Sequence, residues 1–208
     1  MSNIDFRVFR KSLRVLLPLV LCLAWPGVWI QAQEQTKALT DEADARLTSV
    51  AARKAAVTNF LTAADQLRNA GDGLNAARAW NRAGRIQLQL TQANEAIATY
   101  RTALRILRNT SDSQTLVDSL NGLANVYKHL SKCDTATPLF QRAISLSRRA
   151  GYVEGAADSL MISSYCQNDT SLALQNAQDS LRLWQSTSNK LGVARAYQAV
   201  GEFQMIQN

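Results

Sequence analysis

Three arginines in the first half of the chain, Arg78, Arg82 and Arg85, have the residue type and the spacing to bind an anion. Positions i, i+4 and i+7 lie on one face of an α-helix, so the three guanidinium groups would point the same way. A guanidinium forms paired hydrogen bonds with a carboxylate, which suits such a face to an acidic peptide. An ordinary solvent-exposed charged face has the same pattern, and the spacing leaves both interpretations open.

Signatures of catalysis are missing from the sequence. His129 is the only histidine, and neither a cysteine nor a carboxylate stands at a metal-ligand spacing from it. We find no Ser/His/Asp set and no glycine-rich phosphate loop next to a strand. We therefore expect a protein that is not an enzyme and uses no cofactor or metal, with a structural surface role for His129.

The composition favours helices. The 208 residues include only 9 Gly and 3 Pro, while Ala, Leu, Gln and Arg, which are good helix formers, are abundant. The enrichment in β-branched and aromatic residues that is typical of sheets is missing. The sequence therefore predicts an all-α protein.

The first 32 residues have the pattern of an export signal. Basic residues between Arg7 and Arg14 precede an apolar run at 15–23, and a small residue, Ala32, follows. This order predicts a secretory signal peptide over 1–32 and a periplasmic or extracellular protein. An uncleaved membrane anchor at 15–30 is the alternative, although that stretch is shorter than the roughly 20 residues of a spanning helix.

The charge of the chain depends on this segment. The formal net charge is +7, and it falls to +4 without residues 1–32, which carry four basic residues and one acid. A +4 charge on a chain of this length is too weak to indicate nucleic-acid binding. We expect no nucleic-acid partner, and a membrane contact only if the segment stays uncleaved.

A seven-residue segment of the sequence recurs after 40 residues: LRNAGDG at 67–73 is similar to LRNTSDS at 107–113. Large residues at 80, 120 and 160 share that period, which is the mark of a repeat array. The third copy is three residues shorter, and we predict that the loss shortens the turn at 166–170. The predicted units lie near 38–72, 73–112, 113–152 and 153–189, with a partial unit at 190–208.

Within each unit the apolar residues have helical spacing. The first unit reads Trp80-x₂-Ala83-Gly84 and then Ala96-x₃-Tyr100. The second reads Leu120-x₂-Leu123-Ala124-x₂-Tyr127 and Ala136-x₃-Phe140. This pattern resembles that of tetratricopeptide repeat (TPR) proteins. The resemblance implies an α-solenoid of antiparallel helix pairs, a TPR-like superhelix, over 33–208, and the long period is similar to that of bacterial regulatory arrays.

The resemblance also implies where a partner binds. Proteins of this family bind extended peptides or partner proteins in a groove lined by the first helix of each unit. By position, the groove would present Arg78, Asn81, Arg82, Arg85, Asn121, Asn125, Lys128 and Tyr165. Asparagines that can bond a ligand's backbone, beside these cations, suggest a peptide or protein partner with some acidic character.

Two cysteines fall near the turns of successive units, Cys133 and Cys166. A disulfide needs Cα atoms within about 7 Å, whereas packed helices lie about 10 Å apart. The spacing therefore favours two separate thiols. A disulfide between them stays open if the shortened third turn brings them together.

Several single residues carry structural predictions. Asp72, Asp112 and Asp134 are predicted to begin helices, and Asp134 would place Pro138 in the first turn or just past it. Gly84 and Gly201 lie inside helices, where close packing is expected to offset the low helix propensity of glycine.

The last predicted helix, 195–207, is apolar on nearly all sides, so it is expected either to be covered or to serve as a docking surface. The function favoured by these observations is an exported, non-enzymatic scaffold that binds a protein or peptide. Two alternatives stay open. One is the regulatory or sensor arm of a longer signalling or caspase-like protease protein, and the other is a membrane-tethered assembly factor.

Overall fold

The computed structural model describes residues 49–207, and within that range it consists of α-helices and one short 3₁₀ helix (Leu107–Asn109) joined by short turns, with no strand. The helices are α1 (Val50–Asn69), α2 (Gly73–Gln89), α3 (Ala93–Ile106), α4 (Ser113–His129), α5 (Cys133–Ala150), α6 (Val153–Ser164), α7 (Thr170–Gln185) and α8 (Lys190–Gln207). The predicted signal peptide and the start of the first predicted unit lie outside the described residues. None of the helices in this range combines the length and hydropathy that a bilayer span requires.

Consecutive helices pack in antiparallel pairs: α2 with α3, α4 with α5, and α6 with α7. The first helices of successive pairs, α2, α4, α6 and α8, also contact one another in that order. They form a continuous surface that we call the first-helix face. The prediction of an all-α solenoid is confirmed.

Large and small residues alternate in the core as the repeat predicts. Trp80, Leu120 and Leu160 are buried at matching places in α2, α4 and α6. Small residues on the second helices, such as Ala103 and Ala143, are fully buried in the same clusters as Trp80 and Leu120. Because small residues let the helices approach closely, each pair buries its large residues against the next pair.

Tyr100 shows why two helix positions are glycine. Its ring lies between Gly84 of its own pair and Gly122 of the next. A Cβ on Gly84 would come within 2.8 Å of Tyr100 Cε2, and one on Gly122 would overlap the ring. The packing reason predicted for Gly84 is present. The prediction for Gly201 is wrong, because a Cβ there would meet nothing within 4 Å.

Aspartates begin three of the helices. Asp72 and Asp112 accept hydrogen bonds from the backbone N–H groups three residues ahead, at 3.1 and 2.8 Å, as predicted. Asp169 does the same for α7. The prediction for Asp134 is wrong, because α5 starts at Cys133, one residue before Asp134. Asp134 therefore lies in the first turn of α5, where its negative charge interacts favourably with the helix dipole.

The three-residue loss in the third unit falls in a helix and not in the turn. α2 and α4 each have 17 residues, whereas α6 has 12. The connection that follows, 165–169, is longer than the turns at 90–92 and 130–132. The prediction of a shortened turn is therefore wrong, because the chain leaves the helical path early and uses a longer loop to reach α7.

The early end of α6 brings two cysteines together. Cys166, just past α6, forms a disulfide with Cys133, the first residue of α5, and their Cα atoms are 5.2 Å apart. The structure thus departs from the two separate thiols that the spacing favoured. The expected distance between units did not apply, because the loop at 165–169 runs beside the start of α5.

Candidate ligand-binding groove

A cavity of about 240 Å³ opens on the first-helix face between α4, α6 and α8. We call it the groove pocket. Its lining residues are Asn125, Lys128, His129, Met161, Ile162, Tyr165, Arg195 and Gln198. Three of the predicted groove residues, Asn125, Lys128 and Tyr165, therefore come together here.

The positions of these side chains follow from the helix repeat. Asn125 in α4 and Tyr165 at the end of α6 are equivalent residues of successive units. Lys128 lies three residues after Asn125, on the same face of α4. Because the first helices stack on one another, equivalent side chains form a row across the face, and the pocket lies along that row.

Two cations border the groove pocket. Lys128 Nζ lies 5.1 Å from the centre of the Tyr165 ring, within reach of a cation–π interaction. Burial lowers the pKa of Lys128, and the nearby positive charge of Arg195 lowers it further, while Glu202 opposes both. Arg195 Nη1 lies 3.6 Å from Asp158 Oδ1, which gives Arg195 an acidic partner.

Glu202 holds two of the pocket side chains in place. Its Oε2 accepts a hydrogen bond of 2.7 Å from the Tyr165 hydroxyl, and its Oε1 accepts one of 2.8 Å from Gln198 Nε2. These bonds lower the pKa of Glu202. Burial and the contact with Glu202 raise the pKa of Tyr165 to about 12, so the phenol is a hydrogen-bond donor at neutral pH. Tyr165 also packs on Phe203, with ring centres 5.1 Å apart.

His129 lies at the rim of the groove pocket. Its side chain is exposed, and partial burial together with Lys128 lowers its pKa. It is therefore neutral at pH 7 and available as a hydrogen-bonding group. The sequence alone predicts only a structural surface role for it.

Asn81 and Asn121 do not line the groove pocket. Asn121 Oδ1 accepts from the Ser159 hydroxyl at 2.7 Å, and its Nδ2 donates to the Gly155 carbonyl at 3.3 Å. Asn81 makes the same two bonds one unit earlier, to Ser119 and to the Thr115 carbonyl. Both asparagines join successive first helices, so we leave them out of the candidate site.

The three arginines on one face of α2, Arg78, Arg82 and Arg85, are not among the lining residues of the groove pocket. Arg78 Nη2 forms a 3.0 Å ion pair with Asp112, the residue that begins α4. The Arg82 guanidinium lies 5.7 Å from the centre of the Phe60 ring of α1. Arg85 is exposed on α2, near enough to Tyr100 to influence its pKa. The shared helix face exists, but Arg78 and Arg82 hold neighbouring helices.

An acidic region lies next to the groove pocket on the first-helix face. Asp118 of α4 and Asp158 of α6 are equivalent residues, and the negative charge of each raises the pKa of the nearby Tyr152 hydroxyl. The pKa of Asp118 is raised to about 6, mainly by burial and in smaller part by the negative charge of Asp158. The Tyr152 hydroxyl donates a 3.1 Å hydrogen bond to Asp118, which partly offsets the rise. The face therefore changes charge along its length.

The contribution of α8 to the site was missed in the sequence. Arg195, Gln198 and Glu202 have i, i+3 and i+7 spacing and continue the first-helix face. The spacing is visible in the sequence, but the prediction for this helix rests on its apolar residues alone. Tyr197 and Met205, which lie away from this face, are 55% and 74% exposed. A docking role for this apolar side of α8 stays a prediction.

Comparison with known proteins agrees with the geometry. Residues 77–109, which run from within α2 to the turn after α3, match the family model of the tetratricopeptide repeat. The crystal structure of BtubC (BKLC) from P. vanneervenii is similar, with a TM-score of 0.50 and 15% identity over 86% of this chain and 87% of that chain. At that identity the likeness concerns the fold alone. No curated protein matches the sequence. The family match and the stacked helix pairs together support a tetratricopeptide repeat architecture, with residues 77–109 as the matching repeat.

Proposed function

We propose that this protein is a non-enzymatic scaffold that binds a peptide segment of a partner protein on its first-helix face. Tetratricopeptide repeats generally bind proteins or peptides, which supports the broad class. The observation that carries the proposal is the groove pocket, where three successive first helices meet around one cavity and α4 and α8 each contribute a cation and an amide.

The pocket side chains suit an extended peptide with an acidic residue. The amides of Asn125 and Gln198 can donate to a ligand's backbone carbonyls. Lys128 is half-buried above the Tyr165 ring and makes no ion pair within the described residues, so a carboxylate would supply its missing partner. A charge-assisted hydrogen bond in a partly desolvated site is stronger than one at the open surface.

The neighbouring acids give the proposed ligand a direction. Asp118 and Asp158 would repel a second acidic residue placed beside them. The ligand is therefore a segment with its acidic residue in the groove pocket and neutral or basic residues toward Asp118.

Selection from peptide pools tests this proposal. Twelve-residue random peptides with a central Glu, and a second pool with Gln at that place, would be bound to the full chain and read by fluorescence anisotropy and sequencing. We expect retention of the Glu pool and at least tenfold weaker retention of the Gln pool. Lys128→Glu should abolish the difference. Arg142→Glu, an exposed cation on the second helix α5, should leave it unchanged.

Two results would remove the groove pocket from the proposal. One is that neither pool is enriched by the wild-type protein. The other is that Lys128→Glu retains the same peptides with the same affinity. Circular dichroism of each variant shows whether the helices are intact.

We also propose that the protein works outside the cytoplasm after residues 1–32 are removed. The support comes from the basic and apolar pattern of that segment and from the disulfide between Cys133 and Cys166, since disulfides persist in oxidising compartments. Mass spectrometry of the protein from its native host checks this. We expect a mature chain that starts at Gln33 with both cysteines oxidised, and a chain that keeps residues 1–32 would contradict it.

A further inference from the structure

A second cavity, of about 360 Å³, lies between α5, α6 and α7 beside the turn that joins α5 to α6. We call it the turn-side cavity. It shares no lining residue with the groove pocket. A ligand in it would therefore contact a different set of side chains from a peptide in the groove pocket.

The turn-side cavity exists at a place where other units carry a large side chain. Ser147 lines it, and the equivalent residues of the other units are Leu67 in α1, Leu107 directly after α3 and Trp184 in α7. Leu107 and Trp184 are 1% and 3% exposed, so each fills the space between its helices. A serine at this position leaves that volume open.

Ser147 itself needs no ligand. Its hydroxyl donates a 2.8 Å hydrogen bond to the Ala143 carbonyl of its own helix. The rest of the inner wall is apolar and includes Val153, Leu160 and Leu183. The interior therefore favours an apolar group, because water in it would find few hydrogen-bonding partners.

The rim of the turn-side cavity carries one uncompensated positive charge. Arg182 is paired with Asp179, which also lies on the rim. Arg148 has an exposed side chain, and among the described residues it makes no ion pair or side-chain hydrogen bond. An anionic group would complement Arg148.

We propose that the turn-side cavity binds a small monocarboxylate with an apolar body. The apolar body occupies the space left by Ser147, and the carboxylate binds the Arg148 guanidinium through paired hydrogen bonds. A volume near 360 Å³ is at the small end of ligand pockets, which suits a phenylalanine-sized group. A free aryl or fatty acid and the C-terminal residue of a peptide share this chemistry.

Titration calorimetry with defined probes tests the proposal. We expect 4-phenylbutyrate to bind the wild-type protein, and 4-phenylbutan-1-ol, which lacks the charge, to bind at least tenfold more weakly. N-acetyl-phenylalanine represents the C-terminal residue of a peptide. N-acetyl-phenylalanine amide, which lacks the carboxylate, is its uncharged control. Tighter binding of N-acetyl-phenylalanine indicates a peptide terminus as the source, whereas tighter binding of 4-phenylbutyrate indicates a free acid.

Two variants locate the binding. Ser147→Leu introduces into the cavity the side chain that the equivalent residue Leu107 has. It should lower the affinity for 4-phenylbutyrate at least tenfold. Arg148→Gln should lower the affinity for 4-phenylbutyrate to that for 4-phenylbutan-1-ol. Arg149→Gln, a change of the adjacent exposed arginine, should leave the affinity unchanged. Lys128→Gln in the groove pocket should also leave it unchanged, which separates this proposal from the proposed function.

The proposal fails if neither acid binds the wild-type protein. It also fails if Ser147→Leu and Arg148→Gln bind both acids as tightly as the wild type does. Thermal unfolding of Ser147→Leu shows whether that variant folds. Arg148→Gln changes only an exposed side chain, so it remains informative even if the larger residue at 147 disturbs the packing.

Discussion

Ser159 donates its hydroxyl hydrogen to Oδ1 of Asn121 over 2.7 Å and thereby joins α6 to α4. Ser119 and Asn81 make the same contact one unit earlier, at 2.8 Å. At the third interface, between α6 and α8, the equivalent residues are Met161 and Ala196, and both are buried among apolar side chains. At this repeat position, successive first helices are therefore joined by a polar contact at two interfaces and by an apolar contact at the third.

This comparison predicts the effect of removing the polar contact. Asn121→Ala should lower the free energy of unfolding by about 2 kcal/mol, because it removes buried hydrogen bonds and leaves a small void. The double variant Asn121→Met with Ser159→Ala, which copies the third interface, should recover part of that loss. Urea denaturation measures both. A stability of Asn121→Ala within 0.5 kcal/mol of the wild type, a margin of about the usual surface effect, would contradict the prediction.

Two glycines inside helices should respond to alanine with opposite signs. At Gly122 a Cβ would overlap the Tyr100 ring, so Gly122→Ala should lower the free energy of unfolding by about 2 kcal/mol. At Gly201 a Cβ meets nothing within 4 Å, so Gly201→Ala should raise it by about 0.5–1 kcal/mol through helix propensity. Thermal unfolding of the two variants side by side is the measurement. Equal shifts for both would show that the contact with Tyr100 does not matter.

The disulfide should contribute to stability through the unfolded chain. Cys133 and Cys166 are 33 residues apart, and closing a loop of that size is worth about 3–4 kcal/mol in the chain-entropy model. The double variant Cys133→Ser with Cys166→Ser should lose about this amount in urea denaturation. Reducing agent should destabilise the wild type and leave the double variant unchanged. Equal stability of the wild type with and without reductant would contradict the disulfide.

Asp118 should make stability depend on pH in a defined window. Its pKa is raised from 3.8 to about 6 in the folded protein, so the folded state holds this proton more tightly than the unfolded state does. The free energy of unfolding should therefore fall as the pH rises from about 4 to about 6 and stay at the lower value above that. Because solvent reaches the carboxylate, we expect an effect of about 1 kcal/mol, less than the full shift would give.

Two variants check this assignment. Asp118→Asn should flatten the change between pH 4 and 6, since it removes the titrating group. Tyr152→Phe should make the change larger, because the Tyr152 hydroxyl donates the hydrogen bond that lowers the pKa of Asp118. Urea denaturation across the pH range measures all three proteins. An unchanged slope in Asp118→Asn would assign the pH dependence to another group.

The sequence predicted the fold because the repeat depends on residue size. Trp80, Leu120 and Leu160 must fill equivalent spaces, and the small residues opposite them must let the helices approach, so the pattern is visible along the chain. The loss of three residues was also visible. Its location in α6 was not, because the residues at 165–169 are compatible with either a helix end or a turn.

The candidate site was predicted only in part, for a physical reason. A polar residue on the first-helix face can point to a ligand or to the next helix, and its type does not distinguish the two. Asn125 and Lys128 reach the groove pocket, whereas Asn121 is held by Ser159. The serines that follow each of Asn81 and Asn121 by 38 residues were the available signal, since the same pair occurs twice.

The disulfide also bears on how the molecule would respond to mechanical force. It encloses the whole of α5 and α6, which belong to different helix pairs. If the chain were pulled from both sides, the 33-residue span between Cys133 and Cys166 could not extend. At about 3.3–3.6 Å per residue, about 110 Å of contour length between the two cysteines cannot be extended until the sulfur–sulfur bond is reduced.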